Sequence, residues 1–552
     1  MGIKARFLLS LICTISSVHV FAQDTTSKLN LRISTDYEPK LSAANKVITK
    51  PDIKPIESEK PSFTYDLPNF AYAVFPTYHP AKAISIKSEL DEPLFGNYFK
   101  LGAGNFLTPY AEARIHSVRN KKYNYGFYGK HLSTNASNPK NGPSNANFSD
   151  NELGVMGSKI GKKGVLTGKL NFERHVVHYY AIDSAEIDRR FINQIYNDVN
   201  GSILYDRGYD QKKFGYKTGF NFYTFSTHGN RRENDFEGTF SSKYVIGGKR
   251  FVDVDGAIDY TTIGEDSKNI LNRTFVRVKP SYGFTFKKIN FNIGANAVFS
   301  AVSTDSVKGK FRLFPDVSAS HFLVPKKVQA FAEITGDVTK NSLRQLSYIN
   351  PFMSNDVEIQ NSVNSFTIAG GLKGLLAKKL DYLLKVRYSI DNNLPLFVTD
   401  SVPTRSFGLV YDDVSTFAFT SGLGFRLDER FFIQFAGTVY SYNAGQDPLD
   451  HAWQLPNFDL DVNMRYTLAK KLDLRVQVYT IGQRKQLDPF SSEKTVVELD
   501  PIIDLNVMAD YRYKKNISFF LNVNNISNSR YQKWYSYPSF GLNLLAGITF
   551  SL

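Results

Sequence analysis

Beyond residue 22 the 552-residue chain has no cysteine; its only one is Cys13. Disulfides, thiolate-ligated metals and thiol catalysis are thereby excluded from a mature protein. Long apolar runs are missing too. After residue 22 none reaches the roughly 18–20 residues of a spanning helix, so any membrane crossing must use strands. Neither Gly-x-Ser-x-Gly nor His-Glu-x-x-His occurs. The run from Ala369 to Gly374 lacks the phosphate-loop pattern and a following helix, and reads as a strand with packing glycines. His175 and His178 lie three apart on one strand, so they face opposite sides and cannot share a metal. The acids at Asp183, Glu186 and Asp188, and the pair Asp412-Asp413, read as solvated loops rather than calcium sites. No enzyme, metal or cofactor is expected.

What is present begins with a secretory signal. Lys4 and Arg6 precede an apolar segment from Phe7 to Val20, and Val20-Phe21-Ala22 predicts cleavage before Gln23. Residues 1–22 are thus a signal peptide. Residues 23–97 form a leader with eight prolines and mixed charge. A mostly extended tail fits that composition. Phe63, Tyr65, Phe70, Tyr72, Val74 and Phe75 fit instead a partial plug or a docking arm, since pure linkers rarely carry so many apolar residues.

From Tyr98 to Leu552 the chain repeats. Basic pairs recur at Lys121-Lys122, Lys162-Lys163, Lys212-Lys213, Lys249-Arg250, Lys287-Lys288, Lys326-Lys327, Lys378-Lys379, Lys470-Lys471 and Lys514-Lys515, with Asp428-Glu429-Arg430 filling the one gap. Apolar and polar residues alternate between them. Phe458, Leu460, Val462, Met464 and Tyr466 oppose Asp459, Asp461, Asn463 and Arg465. A period of two marks strands with one apolar face, and many of these runs exceed the usual 5–6 residues.

Ten tight turns on one side, with both termini on that side, require 22 strands and eleven loops on the other. The loops are expected near 134–150, 181–197, 227–236, 264–273, 303–309, 341–362, 391–414, 444–456, 484–499 and 525–540, with a very short one at Leu107-Thr108-Pro109. The count closes if a weak strand near Val199–Asp206 is accepted, and the last strand should pair with the one near Tyr98–Phe106. The expected fold is all-β, a transmembrane antiparallel up-and-down barrel of about 22 strands. Its short turns face the periplasm, as do both termini, and its longer loops face outward, in the outer membrane of a Gram-negative cell.

The net charge of +15 invites a nucleic-acid partner, but the basic pairs are spaced one hairpin apart rather than gathered in a patch. Outer-membrane lipid phosphate is the plainer partner for such turns. The polar parity should point into the lumen. It carries Lys169, Glu173, Asp253, Asp255, Asp259, Arg277, Lys279, Lys385, Arg387, Asp459, Asp461, Arg465, Asp473 and Arg475. These could form a solvated wall, a charge-selective channel or a socket for a plug. The aromatic loop Tyr531–Pro538 is expected to anchor in the outer interface rather than to stack on sugars.

The C-terminal stretch resembles the end of TonB-dependent receptor barrels of the Bacteroidetes type. The resemblance rests on Asn522-Val523-Asn524-Asn525-Ile526, Ser529-Arg530-Tyr531, Trp534, Tyr537-Pro538, Gly541-Leu542 and Gly547-Ile548-Thr549-Phe550. It implies a 22-stranded barrel, and a last strand read by the barrel assembly machinery through Leu542, Leu544, Ile548, Phe550 and Leu552. That family carries a plug domain of well over a hundred residues behind a TonB box. Here about 75 Pro-rich residues precede the first strand and no TonB box is recognisable, so a relative lacking the usual plug is expected. The resemblance implies solute passage or uptake across the outer membrane. The alternative is a structural or assembly component docked through residues 23–97, which could also meet TonB or a periplasmic or lipoprotein partner.

Overall fold

The computed structural model describes residues 96–552, apart from residues 119 and 378 and the segments 137–144, 182–192, 210–212, 266–267, 304–308, 401–405, 446–450 and 489–495. The expected signal peptide, nearly all of the leader, the expected lack of a plug and the acidic loop at Asp183–Asp188 lie outside the described residues.

Twenty-two strands form one antiparallel sheet, from Asn97–Gly104 to Asn543–Ser551. Its two ends meet: Tyr98 pairs with Ser551, Leu101 with Ile548 and Gly104 with Leu545. The ring is closed, so no strand of it leaves an edge open to another chain. Directly paired residues show their side chains on the same face. Leu170 pairs with Gly201, Gly201 with Phe222, Phe222 with Phe236, Phe236 with Tyr260 and Tyr260 with Thr274. Across the seam Phe519 pairs with Ile548, Ile548 with Leu101 and Leu101 with Ala111. One face is therefore continuous across the middle of these strands and across the seam.

That parity is apolar and open: Ile203, Ile258 and Leu313 are 55%, 62% and 64% exposed, whereas Asp259, next to Ile258, is 6% exposed. An apolar girdle of this extent far exceeds the few hundred Å² that soluble monomers tolerate. It fits a hydrocarbon surround.

The ten expected turns fall at or between strand ends at one end of the barrel, with Arg250 opening one strand, Lys514 closing another, and Lys212 and Lys378 outside the described residues. Lys287 and Lys288 alone connect Lys268–Phe286 to Ile289–Ser303, both at positive φ (46° and 72°). Two left-handed residues suit the twist of a hairpin, at about 1–2 kcal/mol per non-glycine residue, which the ladders on either side offset. At the other end three connections are shorter than expected. Three residues separate Thr227 from Arg231–Gly247, and two separate Glu265 from Lys268–Phe286. Leu380–Thr399 and Phe407–Arg426 extend far into the expected 391–414 loop. Their charged, polar residues look like loop but keep the ladder: Phe225 pairs with Glu233 and Tyr223 with Asp235. The weak strand is real and longer, running Asn193–Asp206.

The 341–362 loop holds one helix, α1 (Leu343–Ile349), which the β pattern did not suggest. Ser342 caps it by accepting from the Gln345 amide at 3.0 Å. The Ser-x-x-Gln spacing is the sequence signature of such a start.

The seam depends on close backbone approach. A Cβ on Gly547 would stand 2.0 Å from the Leu101 carbonyl oxygen, too near for any L side chain to be accommodated without opening the ladder. Gly547→Val should sharply lower the fraction of heat-modifiable, closed barrel on unboiled gels, while the outward-facing Ile548→Val should not.

Candidate functional site: a segment folded across the mouth

Residues 340–361 leave the strand Val328–Thr339 and return to Ser362–Leu376. Between them they touch three sectors of the ring. The first sector lies on the strands from Val165–His178 to Lys268–Phe286. Glu233 accepts from the amides of Leu343 (2.7 Å) and Arg344 (3.4 Å), and from the Tyr223 hydroxyl at 2.6 Å. The Arg344 guanidinium grips Asp198 Oδ2 with Nε at 2.7 Å and Nη2 at 2.6 Å. The Lys340 ammonium meets Asp235, Asp259 and, at 3.2 Å, the Thr261 hydroxyl. The Tyr348 hydroxyl donates to Glu173 at 2.8 Å. Burial, then Glu173 and Asp198, hold its phenol far above the ordinary range, so it stays a donor. Arg273, 1% exposed, donates to the Asn341 carbonyl at 2.6 Å and to Asn361.

The second sector is the start of Phe407–Arg426. The Phe407 amide donates to the Phe352 carbonyl at 3.0 Å, and the Ser354 amide to the Phe407 carbonyl at 2.8 Å. The third is the loop before the last strand, where the Phe352 and Tyr537 rings stack at 3.8 Å. Trp534 packs edge-on against Phe397 and Phe407, each at 5.3 Å. Contacts from sectors so far apart place the segment inside the ring, at the end away from the tight turns. The face that meets it is the one opposite the apolar girdle.

This corrects the expected role of Tyr531–Pro538. Trp534 and Tyr537 are 8% and 2% exposed, within a cluster that includes Tyr196, Phe225, Leu346, Phe352 and Met353. They are not free to anchor in an interface. The loop folds inward because the segment offers it an apolar surface, and each buried aromatic contributes about 1.5–3 kcal/mol. Arg484 ties the loop down, donating to the carbonyls of Gln532 (2.8 Å) and Lys533.

All fourteen charged residues singled out in the sequence lie on the face opposite the girdle, as the register shows. Some are brought together. Arg277 and Lys279 share Asp337 at 2.9 and 3.6 Å. Asp473 is held by Arg465 at 2.9 Å and Arg475 at 3.2 Å. Lys385 pairs with Glu333 at 2.6 Å, and Asp253 stands 4.0 Å from Lys243. Asp459 accepts from the Tyr440 hydroxyl at 2.6 Å, and Asp461 from Gln477 at 3.3 Å and from Asn463. Glu173 and Asp259 join the segment's network, whereas Lys169 and Asp255 are exposed and Arg387 joins no such group among the described residues. Leu544, Ile548 and Phe550 share the girdle parity of the last strand, with Leu542 and Leu552 flanking it.

The residues that matter most at the mouth, Asp198, Glu233, Asp235, Arg273, Lys340 and Arg344, were not singled out. Glu233 and Asp235 lay in an expected loop, although their alternation with Asn234, Phe236 and Gly238 continues the strand. Nothing local marks Lys340 or Arg344, whose partners lie more than 75 residues away. Asp412 and Asp413 belong to a strand, and no metal-holding cluster occurs among the described residues.

No protein-family model and no curated protein matches the sequence. Solved structures do match, and they are barrels of the outer-membrane receptor class. One is the pyoverdine outer-membrane receptor FpvA of Pseudomonas aeruginosa, at 10% identity over 84% of this chain and 79% of that one, with a TM-score of 0.62. The FrpB iron transporter of Neisseria meningitidis matches at 9% identity over 84% and 82%, TM-score 0.65. The ferric-catecholate import receptor Fiu of Escherichia coli K12 does so at 9% over 84% and 83%, TM-score 0.61. At such identities the likeness is one of fold: a 22-strand barrel like those of TonB-dependent receptors.

Two substitutions test how the segment is held. Ser342→Ala removes a cap worth about 1 kcal/mol and should speed amide exchange in 343–349 about fivefold. Arg344→Ala leaves Asp198, whose side chain is 1% exposed, without its cation. Breaking such a pair costs about 3–5 kcal/mol, so exchange and proteolysis across 341–361 should rise far more than for Ser342→Ala, with the barrel still closed on gels.

Proposed function

We propose that this protein sits in the outer membrane and passes or takes up a solute through its barrel, with residues 340–361 as the closure of its mouth. The single observation that carries the reading is that segment. It spans the ring from within, and ion pairs to the wall at Lys340 and Arg344 hold it there beside an apolar cluster. Ion pairs and hydrogen bonds can be exchanged for water or solute at modest net cost, which suits a closure that must yield. The receptor fold of the structural neighbours supports a transport-related role. In this reading the tight turns and both termini face the periplasm, the charged inner face lines the path, and the last strand, through Leu542, Leu544, Ile548, Phe550 and Leu552, is the part recognised during barrel assembly. Coupling to TonB or to a lipoprotein would run through residues 23–97.

Planar-bilayer recording tests it. The full chain should conduct weakly. Replacing 342–357 by a short Gly-Ser linker should raise single-channel conductance several-fold, alone or combined with removal of 23–97. Silence in all of these variants, with a stoichiometric protein partner recovered from native membranes, would favour a structural component instead.

A further inference from the structure

The wall that receives the segment is unusually acidic. On the inner face of the strands between Phe148 and Glu265 stand Glu173, Asp198, Glu233, Asp235, Glu237 and Asp259, with further acids above and below them. Two places on this wall are shaped for nitrogen cations, and the chain itself shows the fit. Three oxygens, from Asp235, Asp259 and the Thr261 hydroxyl, converge on the Lys340 ammonium. An ammonium has three donors, so the set is matched in number. The second place holds a guanidinium. Asp198 Oδ2 takes both Arg344 contacts, and the Tyr223 ring lies 4.7 Å below the guanidinium carbon, a stacking partner for a planar cation. A second observation shows that Asp198 is not exhausted by Arg344. Its other carboxylate oxygen, Oδ1, is fully buried and accepts no hydrogen bond from the described residues, on a residue 1% exposed. An unused buried acceptor on an ionised group is costly, and a ligand with more donors than one arginine would satisfy it.

We propose that this acidic wall is a binding site for an organic cation, a solute bearing ammonium or guanidinium groups, and that Lys340 and Arg344 occupy it as internal stand-ins while the mouth is closed. A cationic solute and the segment then compete for the same carboxylates, so binding and opening are one event. The two subsites accept nitrogen donors at the end of flexible arms, which favours a polyamine or a basic peptide over a bare metal ion. The inference rests on the passage reading. Failure of that reading shows as silence in the bilayer, whereas this proposal is read by binding to the folded barrel in detergent.

The probe is spermidine, added to the full chain at low salt. Binding is followed by calorimetry and by emission from Trp534 in a Trp453→Phe background, because Trp534 packs on Phe407, which bonds to the segment. Lys340→Gln with Arg344→Gln removes the internal competitors and should tighten spermidine binding at least about tenfold. Adding Asp198→Asn or Asp259→Asn to that variant should weaken it again by a similar factor. In the chain that keeps Lys340 and Arg344, saturating spermidine should shift Trp534 emission towards that of the segment-deleted barrel. Closure of each variant is checked by gel mobility before and after heating. Absence of saturable binding to the closed Lys340→Gln, Arg344→Gln barrel overturns the proposal. So does equal affinity with and without the two cations, since the site would then not be shared.

Discussion

The constraint on which everything else depends is the continuity of one face round a closed ring. Each strand alternates with a period of two, so a slip of one residue at any of the pairings would turn an apolar side chain inward and a charge outward. The register shifts that do occur, such as those between Thr335 and Asp337 and between Asp391 and Leu394, lie outside the middle of the strands, and the last strand must meet the first with the same parity it began with. Tyr98–Gly104 against Leu545–Ser551 meets that condition, and Gly102 and Gly547 let the backbones approach where it is met. Closure also satisfies the backbone groups that a hydrocarbon surround could not. The outward girdle and the inward charges are therefore two results of a single register.

Given that register, the inner face has a surplus of charge that must be hydrated or paired. Much of it pairs along the wall: Asp473 with Arg465 and Arg475, Asp337 with Arg277 and Lys279, Glu333 with Lys385. Toward the mouth, on the strands from Phe148 to Glu265, acids outnumber their neighbours on the wall. There the chain supplies cations from elsewhere, through Lys340 and Arg344. The same segment turns an apolar edge, Leu346, Phe352 and Met353, toward Phe407, Trp534 and Tyr537. The closure is thus held by ion pairs on the acidic wall and by one apolar cluster that reaches that wall as well, through Tyr196 and Phe225. Salt and competing cations act on the ion pairs and leave the apolar contacts largely untouched.

Much of the barrel was legible in the chain. The ten turns announced themselves because a tight turn needs only local chemistry, and a charge pair between two alternating runs is visible without knowing what pairs with what. The strand count followed from them. The loops were harder. Arg231 to Asp235 look like loop because they are polar, yet they hold the ladder well past the apolar band, and Leu380–Thr399 does the same. Helix α1 was hidden by the surrounding β pattern, although Ser342 and Gln345 carried a start signal. Trp534 and Tyr537 look like surface aromatics in sequence and are buried because a distant loop folds under them.

The sequence by itself determined the strands, their turns, the closure of the last on the first and which side chains share a face, because alternation and turn chemistry act between near neighbours. Only the tertiary structure decided what crosses the mouth. Lys340 and Asp235 stand 105 residues apart, Arg344 and Asp198 146, and no local rule links them. They meet because the ring brings remote strands to one rim and because buried carboxylates must find cations wherever the chain can deliver them. The stretch that names the resemblance, from Ile517 to Leu552, closes the barrel through its strands. Its loop helps to cover the mouth, and that second part could be seen only once Phe352 lay against Tyr537.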